Sequence, residues 1–141
     1  MSFRKTLARR FLEETEDRDR VAAYDELCTA DYLEHDPAMP QDPVGLDEAR
    51  RVYRELLAAF ELRHTADSLI AEGDLVAARF TVRGRHVGEY RGFPPSVRTF
   101  EVTGQVTFRF HERMITETWL NWDAQGMLEQ LRPPSGAPGA G

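Results

Sequence analysis

The chain of 141 residues has a single cysteine, a single lysine and no apolar run near the roughly 20 residues that a bilayer span needs. One thiol, Cys28, builds neither an internal disulfide nor a cysteine-based metal centre. It falls in an amphipathic helical pattern, so a buried, inert thiol is expected there. The basic residues are almost all arginine, they do not cluster, and the net charge is −6. That excludes nucleic acid or an anionic membrane as the main partner. The N-terminal stretch "MSFRKTLARRFLEE" lacks the apolar block of a secretory signal, so a cytoplasmic protein is expected. The four histidines, at 35, 64, 86 and 111, include no pair four apart, and no metal site is expected. A phosphate-binding glycine loop and a G-x-S-x-G nucleophile turn are absent as well.

What is present is an ordinary globular balance, 41% hydrophobic and 30% charged residues, enough for one domain with one core. The first half reads as helix. Leu7, Phe11 and Leu12 recur at helical spacing, the charged "EDRD" at 16–19 breaks the pattern, and Val21, Tyr24, Leu27 and Cys28 share a second helical face. "ADYLEHDPAMPQDP" cannot continue a helix, because three prolines remove amide donors. It reads as a short extended segment at Tyr32–His35 and then a loop. Residues 44–61 form the clearest helix, with Ala49, Val52, Tyr53, Leu56, Leu57 and Phe60 in one stripe.

The second half changes to period two. "HTADSLIAEG" is a strand stopping at Gly73. "DLVAARFTVRGRH" sets Val76, Ala78, Phe80 and Val82 against Ala77, Arg79, Thr81 and Arg83. After a turn-rich loop, "TFEVTGQVTFRF" sets Phe100, Val102, Val106, Phe108 and Phe110 against Glu101, Thr103, Gln105, Thr107 and Arg109. "HER" turns into a last strand, "MITETWLNW", and "DAQGMLEQL" closes as a short helix that Asp123 is placed to cap. Residues 133–141, rich in Pro and Gly, read as a disordered tail. Three helices followed by a meander of about four antiparallel strands make an α+β domain over residues 1–132. A curved sheet wrapped around the three N-terminal helices leaves a hollow suited to a small molecule.

Chemistry in this pattern rests on single polar residues. His35, before a proline turn, is read either as a base or donor at a cavity mouth or as a loop histidine tied to backbone. Asp36, next to Pro37, reads as a turn former. Gln105 and Thr107 face either solvent or a cavity. If they face a cavity, the apolar side of their strand must be covered by a second subunit. The last strand, apolar on both sides, points the same way. A homodimer burying the Phe100–Phe110 face and Trp119 is therefore expected.

The stretches "DYLEHDP", "LIAEGDLVAARFTVRGRHVGEYRGFPPSVR" and "WLNWDAQGMLEQL" resemble the SnoaL-like polyketide cyclases, in the nuclear-transport-factor-2-like, ketosteroid-isomerase-like cone fold. The resemblance spans roughly residues 5–132. It implies a deep apolar cavity, a dimer through the outer sheet face, and catalysis without metal or cofactor on polyketides and related hydrophobic molecules. Aldol cyclases of this group use an Asp on the last strand, with a Gln and a His on the strand before. The Gln matches Gln105, the His position falls on Thr107, and the Asp position falls on Leu120. An early polar residue matches His35. His35 and Gln105 are thus the expected catalytic residues, and Tyr53, Phe60, Phe80, Thr107, Thr118, Leu120 and Trp122 the expected substrate contacts. With leucine in the acid's place, three readings follow: a cyclase with less acid/base help or with His35 in that role, a hydroxylase-type member, or a non-catalytic small-molecule binder.

Overall fold

The computed structural model describes residues 2–13 and 19–132. The tail from residue 133 and most of the charged break at 16–19 lie outside the described residues. Two helices, α1 (Phe3–Glu13) and α2 (Asp19–Leu27), lead into strand β1 (Cys28–His35). A two-residue strand, β2 (Val44–Gly45), precedes helix α3 (Leu46–Ala59). Four strands follow, β3 (Phe60–Glu72), β4 (Leu75–His86), β5 (Thr99–His111) and β6 (Met114–Trp122), and helix α4 (Ala124–Leu131) closes the chain.

The strands form one sheet in the order β2-β1-β6-β5-β4-β3. Every neighbouring pair is antiparallel except β1 and β6, which run parallel. The four-strand meander is antiparallel as expected, and the parallel contact is made by the short early strand. β1 is joined to the meander through α3 rather than by a hairpin, so it docks on β6 in the direction that this crossover allows. Cys28 is not helical but opens β1, and it is buried as expected.

The α3 stripe folds as its spacing dictates. Ala49 and Tyr53 are buried, while Asp47 and Glu48 occupy the first turn and complement the helix dipole. Arg51 reaches back to Glu48 at 2.5 Å and forward to Glu55 on the exposed side. At the chain's end the Asp123 side chain accepts from Gly126 N at 2.8 Å and caps α4. Met127 of that helix is buried, so a fourth helix joins the three expected under the sheet. Gln130 locks it to β5 through both partners of the Glu101 peptide, at 2.9 and 3.0 Å.

The apolar residues of β5, Phe100, Val102, Val106, Phe108 and Phe110, all point inward with Val76, Ala78, Phe80 and Val82 of β4. The outward apolar surface expected at Phe100–Phe110 is therefore not there. The helices cover that face, and no second subunit is required for it. The two-sided apolar look of β6 has a local cause. A bulge in the β5–β6 register pairs Phe110 with Ile115 but Phe108 with Thr118. The extra residue flips the alternation, so Ile115 lies inside together with Thr118, Leu120 and Trp122. Trp119 is left on the outer face of β6, stacked on the His35 ring.

Candidate functional site

Side chains from α1, α2, α3, α4 and five strands meet around one interior cavity of about 90 Å³. Its apolar walls include Phe11, Phe60, Phe80, Val82, Phe100, Val106, Phe108, Leu120 and Met127. Sites for drug-sized ligands run to roughly 300–1,000 Å³, so a polyketide-sized molecule enters only as these walls move apart. Met39, on the lining, meets the Arg91 guanidinium at 3.3 Å, which ties the 36–43 loop to the 87–98 loop. A wider depression of about 1,340 Å³ lies outside Phe60, Leu62 and Phe100. It is open to solvent, and charged groups within it pair with one another, Arg83 with Glu101 at 2.7 Å and Arg85 with Glu61 at 4.0 Å. The enclosed cavity is the better candidate because it holds a buried carboxyl.

Six of the seven expected contacts line this cavity: Tyr53, Phe60, Phe80, Thr118, Leu120 and Trp122. Thr107 does not. It pairs with Trp119 on the outer side of the sheet. Gln105 stands exposed on the same side, opposite Asn121. Both positions correct the expectation, and strand alternation is the reason. With Val106 and Phe108 buried, residues 105 and 107 must face away from the cavity.

His35 is corrected on the same ground. Tyr32 and Glu34 of β1 point inward, so Leu33 and His35 point outward. There the His35 ring lies flat on Trp119, with centroids 5.4 Å apart, and its Nε2 meets Glu117 Oε2 at 2.6 Å. Arg109 approaches Glu117 at 3.4 Å and lies over the Trp119 ring. This cluster belongs to the outer surface. Replacing His35 or Gln105 by Ala is expected to change turnover by no more than roughly twofold, the effect of an ordinary surface substitution. Steady-state kinetics with a converted substrate check this, and a loss of about tenfold or more at either position contradicts the placement.

The cavity's own polar wall is built from the end of β1 and from β6. Tyr24 and Tyr32 both donate to Glu34 Oε1, at 2.9 and 2.7 Å, and the Tyr32 oxygen lies 2.7 Å from Thr118 Oγ1. Burial, with Glu34 adding to it, pushes the Tyr32 phenol well above its ordinary pKa. Asp36, buried just past β1, accepts from Ala38 N at 2.9 Å and from Trp122 Nε1 at 3.1 Å. Burial raises the Asp36 carboxyl above the usual carboxylate value. The two hydrogen bonds work against that rise, and nearby Glu34 and Asp42 work with it. Asp36 is thus a turn former, as read from Pro37, and also a perturbed acid on a cavity wall.

Gly104 makes this geometry possible. A Cβ there would come within 2.5 Å of the Phe80 ring and 2.9 Å of Trp122 Cβ. Its bare backbone lets Trp122 lie against the inner face and reach Asp36.

Glu34 and Asp36 are the functional candidates that sequence reasoning passed over. Period two in "DYLEHDP" carried the signal. If Tyr32 is inward, so is Glu34, and His35 is not.

Among the described residues no group of three or more His, Cys, Asp or Glu is placed to hold a metal ion, and no helix is long and apolar enough to cross a membrane.

No functionally curated protein matches the sequence. Among solved structures, IdmH from Streptomyces antibioticus, described as a candidate polyketide cyclase, is 30% identical over 89% of this chain and 95% of its own, with a TM-score of 0.76. A candidate SnoaL-like polyketide cyclase from Jannaschia sp. CCS1 is 19% identical over 93% of both chains, with a TM-score of 0.82. AclR from Streptomyces galilaeus, described as a candidate hydroxylase, is 23% identical over 93% of this chain and 96% of its own, with a TM-score of 0.81. At such identities the last two speak for the shared cone fold alone. The model of the SnoaL-like polyketide cyclases matches residues 6–131, nearly the whole α+β domain with its curved sheet and interior cavity, and the chain belongs to that family.

Proposed function

We propose that this protein is a cofactor-independent natural-product tailoring enzyme that closes a ring in a polyketide-type intermediate. The observation that carries this reading is Asp36, a buried carboxyl of raised pKa on the wall of an aromatic cavity. As a carboxylate, Asp36 takes a proton from an activated carbon of the bound chain. The resulting carbanion attacks a carbonyl elsewhere in the same chain, forming the C–C bond, and the new alkoxide takes the proton back from Asp36. Substrate and product are isomers, and no electron acceptor is consumed. The apolar walls hold the chain folded so that the two carbons meet, which by itself supplies much of the barrier reduction. Leu120, where the family resemblance places an acid, is then a wall residue, and Asp36, which accepts from the Trp122 indole, supplies the proton transfer.

Incubation with open-chain polyketide-type intermediates, followed by mass spectrometry, tests this directly. The reading expects a product of unchanged mass and new ring connectivity. Gain of one oxygen atom identifies a hydroxylase instead, and saturable binding without conversion identifies a carrier. A homodimer through the outer sheet face is part of the proposal. With the β5 apolar face turned inward, Trp119, Gln105, Thr107 and Asn121 are the residues offered to it. Light scattering at micromolar concentration is expected to give the mass of two chains, and a monomer removes this part.

A further inference from the structure

We infer that the ligand of this cavity presents a protonated amine to the Glu34–Asp36 wall, and that the cavity rejects carboxylate- and phosphate-bearing molecules. The inference rests on the cavity being the functional site and specifies what it takes. It starts from the direction of the hydrogen bonds. A carboxylate only accepts, so both phenols, Tyr24 and Tyr32, spend their single O–H on Glu34 Oε1. Tyr32 then has no hydrogen left for Thr118, so the Thr118 hydroxyl donates to the Tyr32 oxygen. The Trp122 N–H is spent on Asp36 Oδ2 and the Ala38 N–H on Asp36 Oδ1. Four of these five donors end on a carboxyl group and the fifth on the Tyr32 oxygen, while Glu34 Oε2 receives no hydrogen bond from any described residue.

The wall therefore offers acceptors. A ligand oxyanion placed against it would find these donors committed and two acidic groups beside it. Among the described residues, no lysine or arginine lines the cavity, and its histidine, His64, lies against Phe80 on β3, across the sheet from the β1 wall. Burying an unpaired anion there is costly. A ligand N–H fits instead, because it brings the missing donors. An ammonium also gains from charge-assisted bonds to Glu34 and from the aromatic faces of Tyr24, Tyr53 and Trp122 that border the same wall.

The test compares benzylamine, benzyl alcohol and benzoate, three near-isosteres that ask for far less opening of the walls than a polyketide does. Binding is followed near neutral pH by the Trp122 indole N–H resonance, with Trp119 on the outer face as control. Benzylamine is expected to bind about tenfold more tightly than benzyl alcohol, and benzoate not to shift Trp122 at all. Glu34→Gln is expected to abolish the amine's advantage while leaving the alcohol's affinity in place. Should that variant not fold, Asp36→Asn makes the same comparison. Benzoate binding as tightly as benzylamine overturns the inference, as does an amine preference that survives loss of the charge. Equal binding of all three overturns only the head-group assignment, since the cavity then still takes small molecules. Failure of all three to perturb Trp122 overturns the cavity reading beneath it.

Discussion

Asp36→Asn is expected to lower turnover by about 10²–10⁴-fold, the span that a positioned acid/base contributes, while affinity for the substrate stays within a few-fold of the parent. The amide keeps the shape of the carboxyl, and its one oxygen still accepts from either Ala38 N or Trp122 Nε1, so the wall keeps its packing and one of its two hydrogen bonds. What is lost is the proton-accepting oxygen and the bond it received. Comparison of turnover with affinity separates chemistry from packing. Equal losses of both, or no loss of turnover, remove Asp36 from the mechanism.

The same substitution has a signature in stability. Burial raises the Asp36 pKa above its unfolded value of about 3.9. Between those two values the folded chain binds more protons than the unfolded one, so its stability falls as pH rises through that window. At neutral pH the ionised group is a burden on the fold. Asp36→Asn accordingly sheds that burden, against the loss of one hydrogen bond to Ala38 N or Trp122 Nε1, and is expected to lose the decline in stability contributed by this residue. Denaturant titrations across acidic to neutral pH read both effects. A variant that is catalytically dead and has lost the pH-dependent decline is what a buried catalytic carboxyl of raised pKa predicts.

Phe108→Ala is expected to cost about 3–5 kcal/mol, the range for removing a large buried aromatic. Phe108 is fully buried, packs edge-on against Phe11 of α1 at 5.7 Å and lies 6.5 Å from Phe110. It joins the sheet to α1 and is part of the cavity wall. Total stabilities of such domains are about 5–15 kcal/mol, so a large share would be lost, with a fall in melting temperature of roughly 10–20 °C. Urea unfolding with an unchanged slope measures it. The control lies on the same strand. Gln105→Ala, facing the other way, is expected to stay within about 0.5 kcal/mol. If the two substitutions cost the same, the inside and outside of β5 have been misassigned.

That pairing also shows what alternation alone makes legible. Val106 and Phe108 against Gln105 and Thr107 is a period-two pattern whose simplest meaning is apolar inside and polar outside, and the structure has that arrangement. The inverted orientation, with Gln105 in the cavity, drew on two things: transferring one residue of a family pattern without its neighbours, and the apparent two-sidedness of the last strand. The β6 bulge dissolves the second. One extra residue beside the Arg109/Phe110 step moves Ile115 inside without moving Trp119, and nothing in "MITETWLNW" marks it. Bulges are decided by how a strand fits its partner, and the partner is distant in sequence.

The sequence by itself determined the helix-then-strand order, the alternation of β4 and β5 and the Asp123 cap, while the family resemblance supplied Leu120 as a cavity position. The order, the alternation and the cap follow from short-range periodicity or from a residue's own conformational preference. Only the tertiary structure decided which acid matters. Asp36 owes its raised pKa to burial, and it owes its hydrogen bond to Trp122 to β1 docking parallel on β6, which brings residues 36 and 122 to 3.1 Å. Desolvation and cross-strand contact depend on what the rest of the chain places around a group, so no local pattern can record them.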